Sequence, residues 1–420
     1  MKRKMITGER IMYINASTSL NCVFTAKIRG SILADSLHTA LGKIQKKHPL
    51  LRSLIKDSGR GGPYFVSAKD ILPIPVRVVV RKGDNHWEAE SKTEWIKLFN
   101  DRNAPMARVV WLQGKDVSEL MLVCPHCICD GRSILTLMEE LLLLIDHPEK
   151  ELEPYAPFNS VQELLSEKYS FGKLIRVRLL SVLAVWFLFT KSRPETPLRG
   201  NPYMLHWKLT RESTDAIAAA CKRTGTTVHA VLCVAFLEAF RLVKAEQARG
   251  NAVSPVDIRK YVPEIKDDMM FAMAPTVEVS LDQGQASFWV KAKLLSNQLR
   301  VKIDALKGRE SLLLSEYLSA DRIVKYLKTA GATHDITVSN MGRLTIPEKY
   351  DSFELETIYS PTVAFPWKNP TTALIHTFRG RMDFTFCSND RFLRQEEAEQ
   401  IRDTLLGLLL KGAEEVYAAI

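Results

Sequence analysis

Apolar and polar positions alternate along the chain in two rhythms, and the rhythm changes often. Residues 20–28 have strand composition. Residues 31–47 place Ile32, Leu33, Leu37, Leu41 and Ile44 at helical spacing, and the pattern stops before His48-Pro49. A β-branched run follows at 76–80, helical spacing returns at 87–99, and strands are predicted at 107–111 and 120–124. The run Leu120–Cys124 is apolar at every position, so both of its faces need cover and it should lie inside a sheet. Gly131 opens a further helix, with apolar residues at Ile134, Leu135, Leu137, Met138 and 141–145, closed by His147-Pro148. Prolines 154, 157, 194 and 197 bracket a segment without strand signals, read as a helical connection. The alternation then resumes. A strand is expected at 203–209, a helix capped by Thr210 and ended by Gly225, and a long apolar helix over 226–243. Strands follow at 276–281, 335–338, 373–377 and 382–386, with a last helix over 395–419. The pattern predicts an α/β (α+β) protein of two comparable domains: 1–155, a connection over 156–202, and 203–420.

Composition narrows the classes. Of 420 residues, 46% are hydrophobic and 25% charged, which excludes a disordered or collagen-like chain. The formal charge of +10 favours anionic partners. The basic residues are scattered without interleaved aromatics, so nucleic acid is not expected as a partner. Seven cysteines without framework spacing read as reduced thiols, and MKRKMITGER is not followed by an apolar leader segment, so a cytoplasmic protein is expected. The strongest apolar run, 179–189, is shorter than the roughly 20 residues of a membrane span. Its helix, 174–190, lies between Lys173, Arg176, Arg178, Lys191 and Arg193. Basic ends on an apolar segment fit a contact with a membrane surface, a lid over an acyl chain, or a buried connector.

One segment carries chemistry: Pro125-His126-Cys127-Ile128-Cys129-Asp130-Gly131. An interior strand ends, a short loop presents an imidazole, and an Asp-Gly pair starts a helix. Imidazole is the side chain best matched to proton transfer near neutrality. Asp130 suits a helix N-cap, and Gly131 permits a close approach. Cys124, His126, Cys127 and Cys129 are too closely spaced to surround one tetrahedral zinc, so no metal is expected. Cys127 or Cys129 as nucleophile, with His126 as its base, is the sharper rival. A core histidine bonded at a strand end is the plain alternative.

His126-x-x-x-Asp130-Gly131, in a two-half chain of this length, resembles the HXXXD acyltransferase superfamily with the chloramphenicol acetyltransferase fold. That superfamily includes alcohol O-acetyltransferases, polyketide-associated acyltransferases and nonribosomal peptide condensation domains. Further segments agree in order: Gly8-Glu9-Arg10, His48-Pro49-Leu50-Leu51-Arg52, 226–235, Pro255-Val256-Asp257-Ile258-Arg259, Val338-Ser339-Asn340-Met341-Gly342-Arg343, and 378–384. Pro125 stands where condensation domains usually carry a second histidine, and the D-F-G-W-G motif of the plant enzymes has no counterpart. Both departures point toward the bacterial alcohol or polyketide-associated enzymes.

The resemblance implies two domains, each a mixed sheet with helices, and an active-site tunnel between them. It implies His126 as general base on a hydroxyl or amine acceptor that attacks an acyl thioester directly, without an acyl-enzyme. The donor would be acyl-CoA or a phosphopantetheine-linked acyl group on a carrier protein, and no tightly bound cofactor is implied. Asp130 would clamp the loop by pairing with Arg259, and Gly131 would give clearance. Ser339 or Asn340 is the candidate oxyanion donor, and His229 a candidate near the acyl donor. Amide formation between carrier-bound substrates, or a binding protein without activity on the same fold, are the rival functions.

Overall fold

The computed structural model describes residues 1–57, 62–99, 103–165, 200–281, 286–317, 320–329 and 333–418, with positions 172, 175, 176, 179 and 284. Most of the 174–190 segment lies outside the described residues. Of those that are described, Ile175 and Leu179 are exposed.

The strands, in chain order, are β1 (Lys2–Lys4), β2 (Asn21–Gly30), β3 (Ser53–Asp57), β4 (Pro63–Ser67), β5 (Val76–Val80), β6 (Arg108–Gln113), β7 (Val117–Pro125), β8 (Pro202–Lys208), β9 (Asn251–Pro255), β10 (Thr276–Ser280), β11 (Ile336–Arg343), β12 (Phe353–Thr362), β13 (Thr372–Phe378) and β14 (Arg381–Asn389). They form a five-stranded sheet in the order β12-β2-β7-β6-β5, a six-stranded sheet in the order β10-β9-β11-β13-β14-β8, and a small sheet β1-β4-β3. Both large sheets are mixed. In the first only β5 and β6 run parallel. In the second β11 runs parallel to both β9 and β13.

The residues explain the layers. β7 is interior because both of its faces are apolar. Leu120, Leu122 and Cys124 pack against Leu37 and Leu41 of the helix Ala34–Lys47 and Leu137 and Leu141 of the helix Gly131–Asp146. Met121 and Val123, on the opposite face, meet Val23, Trp87 and Trp95, and also Met204 and Cys387 from the six-stranded sheet. The two large sheets therefore share an apolar contact layer. In the second half, residues 230–240 of the helix Val228–Lys244 are all buried, between that sheet and the helices Phe288–Asp304 and Gln395–Ala418. Thr210 Oγ1 accepts from Ser213 N, and Gly225 ends its helix in the left-handed region at φ 65°.

One strand departs from a division at residue 203. β12 leaves the second half and pairs antiparallel with β2 of the first, with Glu354 opposite Arg29 and Thr362 opposite Val23. The sequence reading did not identify it, nor the helix Phe288–Asp304. Among the described residues no single helix is long and apolar enough to cross a membrane. The helix Arg211–Thr224 and its successor pass such a test only jointly, across a 105° bend, and the successor is the core helix.

Candidate active site

β2 and β7 pair as far as Asn21 opposite Pro125, and His126 N extends that register by donating to Leu20 O at 2.8 Å. The sheet thereby fixes the backbone of His126. A turn follows, with Ile128 N on Pro125 O at 3.1 Å, and Gly131 then opens a helix. The His126 side chain is half-buried, and its Nδ1 is sealed from solvent without a hydrogen bond of ordinary geometry. Burial pushes the imidazole below its usual 6.5. The carbonyls of His126 and Cys129 and the charge of Asp130 pull the other way without offsetting it.

The neighbours of this ring come from both halves. Phe365 lies 5.8 Å away, centroid to centroid. It belongs to an apolar group that joins Ile14 and Leu20 to Val363 and Trp367. Met341 of β11 faces Gly131. A Cβ added at Gly131 would stand 3.8 Å from Met341 Cγ, an ordinary contact, and the backbone there needs no positive φ. Packing does not require that glycine. Gly8 is the contrast, because a Cβ there would come within 2.8 Å of Ala272 O.

Asp130 makes no hydrogen bond to His126 among the described residues. Its Oδ1 accepts from Ser133 N at 2.8 Å, the N-cap bond of the helix. Arg259 holds the carboxylate at two points, Nη1 on Oδ2 at 2.7 Å and Nη2 on Oδ1 at 3.3 Å. The pair is buried, with side-chain exposures of 2% for Arg259 and 12% for Asp130. Burial opposes the charge on Arg259, but Asp130 and Asp257 more than offset it and raise its pKa. Arg259 also donates to Met269 O at 3.0 Å and to Ser133 Oγ at 3.1 Å, and that hydroxyl accepts from Phe271 N at 3.0 Å. The loop bearing His126 is thus tied to segments 257–259 and 269–271 of the second half. Ser133 was missed in the sequence. Its signal is the Asp-x-x-Ser spacing of a capped helix start. Phe365 was also missed, and no local pattern marks it.

Other named residues sit elsewhere. Ser339 and Asn340 are half-buried on β11, where the pairing with β13 is irregular. Asn340 Oδ1 accepts from Gly342 N at 2.9 Å. Among the described residues neither Ser339 nor Asn340 hydrogen-bonds His126. His229 is occupied inside the second half, with Nε2 2.8 Å from Ser254 Oγ and 3.7 Å from Cys233 Sγ, and burial pushes it down to about 4. All seven cysteines are free and buried. Burial pushes the Cys127 thiol well above its ordinary range. The Cys129 thiol is also raised: the bond with Cys124 works against the rise, and Cys22 and burial outweigh it. Thiols held protonated in this way are poor nucleophiles.

Residues 199–386 match the family model described as the C-terminus of phthiocerol/phthiodiolone dimycocerosyl transferase. Over 237 residues the chain is 25% identical to nonribosomal peptide synthetase kk1B of Curvularia clavata. That match takes in 53% of this chain and 2% of the synthetase, so the chain spans a small fraction of that relative's length. Three solved structures share its fold over nearly the whole length. Polyketide synthase associated protein 5 of Mycobacterium tuberculosis is 16% identical at a TM-score of 0.69, covering 97% of this chain and 98% of that one. Trichothecene 15-O-acetyltransferase of Fusarium sporotrichioides is 12% identical at 0.74, covering 98% and 95%. The first condensation domain of the CDA synthetase is 15% identical at 0.71, covering 98% and 96%. The fold expected from the sequence stands, and the family match over residues 199–386 agrees with the resemblance.

Proposed function

We propose that this protein transfers an acyl group from a thioester, on CoA or on the phosphopantetheine of a carrier protein, to a hydroxyl or amine. The observation that carries the reading is the state of His126. A buried sheet fixes its backbone, its Nδ1 is sealed, its basicity is lowered so that the ring is neutral at pH 7, and the nearby carboxylate is occupied by an arginine. A neutral imidazole with one nitrogen sealed offers the other, Nε2, to a reactant.

The steps follow from that geometry. Nε2 takes the proton of the acceptor O–H or N–H as the acceptor atom bonds to the thioester carbon. The tetrahedral species collapses with cleavage of the C–S bond, and the thiolate recovers the proton from Nε2–H. No covalent enzyme intermediate is needed, in keeping with cysteines held as thiols. The apolar group around Phe365 supports an acyl or other apolar substrate beside the ring. Asp130 and Arg259 hold the loop and take no proton. Met341 and the open side of Gly131 leave space where substrate passes. Ser339 and Asn340, on the strand that carries Met341, are the polar groups offered for the oxyanion.

The likeness to condensation domains favours one second reading, amide formation between carrier-bound substrates. Release of free thiol separates the two readings. The purified protein is given an acceptor with acyl-CoA, and separately with an acyl-carrier protein. Turnover of the free acceptor with either thioester supports the first reading, turnover only when the acceptor amine is itself carrier-bound supports the second, and release in no case favours a binding protein without activity. His126→Ala should lower turnover by ~10²–10⁴-fold with the fold and donor binding intact. Activity within about tenfold of the unaltered protein would end the general-base assignment.

A further inference from the structure

Phe365 stands on a loop that is held in place. Residues 363–371 join β12 to β13. Val363 and Trp367 are buried on either side of Phe365. Lys368 N donates to Leu327 O at 3.2 Å, and Asn369 Nδ2 donates to His334 O at 2.7 Å. Phe365 itself is only half-buried, as His126 is. A pinned aromatic ring that keeps open surface beside a half-buried imidazole is a surface for a substrate, because packing with the protein alone would have closed it.

The wall that Phe365 belongs to is built around the backbone of His126. Leu20, whose carbonyl receives His126 N–H, places its side chain in the same apolar group. The helix Thr7–Tyr13 adds Met12 from the first half, and the helix Ala320–Thr329 adds Val324 from the second. Arg10, at the border, bonds the Ile14 carbonyl, and its Nη2 meets Asp321 Oδ1 at 2.5 Å. That ion pair ties the two helices together, so the wall is fixed from both halves.

Distances then say which substrate meets the ring. An acceptor must bring its oxygen or nitrogen within about 3 Å of Nε2 to hand over a proton, so the carbon that bears this atom lies within about 4 Å of the imidazole. The ring centroids of Phe365 and His126 are 5.8 Å apart, at an interplanar angle of 43°. A carbon chain between two rings needs two contacts of about 3.5–4 Å each, about 7–8 Å in all, so none fits between these two. The chain must run along the open side, where its first carbon has the Phe365 ring as neighbour.

We propose that Phe365 is the residue that selects the acceptor. It favours an uncharged, apolar acceptor whose hydroxyl or amine sits on an unbranched carbon, and it rejects a branch at that carbon by contact with its ring. The proposal rests on the acyl-transfer reading of His126. Thiol release by the full chain, from whichever thioester it turns over, tests it with n-hexanol, cyclohexanol and the ω-hydroxy acid of the same length as acceptors. By kcat/KM, n-hexanol should exceed each of the others at least tenfold, the range that one or two carbons against a packed wall provide. Phe365→Leu, which keeps an apolar side chain in the wall, and Phe365→Ala should each raise the ratio of cyclohexanol to n-hexanol at least tenfold, and Phe365→Trp should lower it. An unmoved ratio, with all acceptors weakened alike, would make Phe365 a packing residue and overturn the proposal. A second readout needs no turnover. In histidine-labelled protein the His126 ring signal, identified by its loss in His126→Ala, should shift saturably with n-hexanol and at least tenfold more weakly with cyclohexanol, and Phe365→Leu should close that gap. This result without thiol release would end the acyl-transfer reading and keep Phe365 as the selecting ring. Thiol release without a preference among the acceptors, or no shift with any of them, would overturn the proposal.

Discussion

An imidazole kept below its ordinary pKa stays a base in mildly acidic solution. For His126 the cause is burial, and the sign follows directly: the proton-free form, which accepts the substrate proton, persists at and below pH 6.5. The pH profile of kcat/KM should therefore be level through neutrality and fall only on the acid side of 6.5. Rates measured from about pH 4.5 to 8 check this. A limb centred above 6.5 would mean that the titrating base is another group, or that the ring is better solvated than its position allows. The buried neighbours Cys127 and Cys129 should add no limb in this range, because their thiols are raised.

At the scale of elements, the Asp130–Arg259 pair joins a helix start in one half to a turn in the other. Arg259→Gln leaves the Asp130 carboxylate buried without its two guanidinium bonds, and breaking one side of a buried pair costs ~3–5 kcal/mol. Asp130→Asn should approach the same loss while keeping the helix cap, because the amide oxygen still accepts from Ser133 N. The double variant should lose less than the two singles together, since the pair acts as a unit. Urea unfolding of the three variants measures this. Losses below about 1 kcal/mol in both singles would show the pair to be incidental. Much of this arrangement was legible in the sequence. Apolar residues on both faces marked β7 as interior, and the helix start after it was plain. Arg259 was reachable only through a family resemblance, because nothing local ties it to a residue 129 positions earlier. β12 was not legible. Glu354, Glu356 and Thr357 interrupt its apolar positions, and its partner β2 is more than 300 residues away, so its strand character is set by tertiary pairing. Ser133 reads as an ordinary helix serine until Arg259 and Phe271 are placed around it.

For the molecule as a whole, burial of imidazoles sets an acid limit on stability. His229, His334 and His376 are each pushed down to about 4, chiefly by burial. An unfolded chain binds protons at these positions near 6.5, so it gains protons that the folded chain refuses as pH falls. The stability they contribute is complete above 6.5 and is lost between 6.5 and about 4, with a slope of up to ~1.4 kcal/mol per pH unit for each histidine. Asp383, held well below the carboxylate range because His206 and Lys208 outweigh its burial, adds its own loss at lower pH. Thermal unfolding between about pH 8 and 4 should show this decline, and His229→Gln should reduce its slope by about one proton. A melting temperature that stays level from 6.5 to 4.5 would contradict it. The crossing of β12 has a different consequence, in time rather than in energy. Until Phe353–Thr362 has been made, β2 is a ten-residue strand with one free edge and an apolar face. At 5–20 residues per second, synthesis of the intervening chain takes roughly 15–70 s. Through that interval the first half exposes a template onto which any extended chain can add. A nascent chain arrested short of residue 353 should therefore aggregate or be held by chaperones, however well its own helices and sheet have formed.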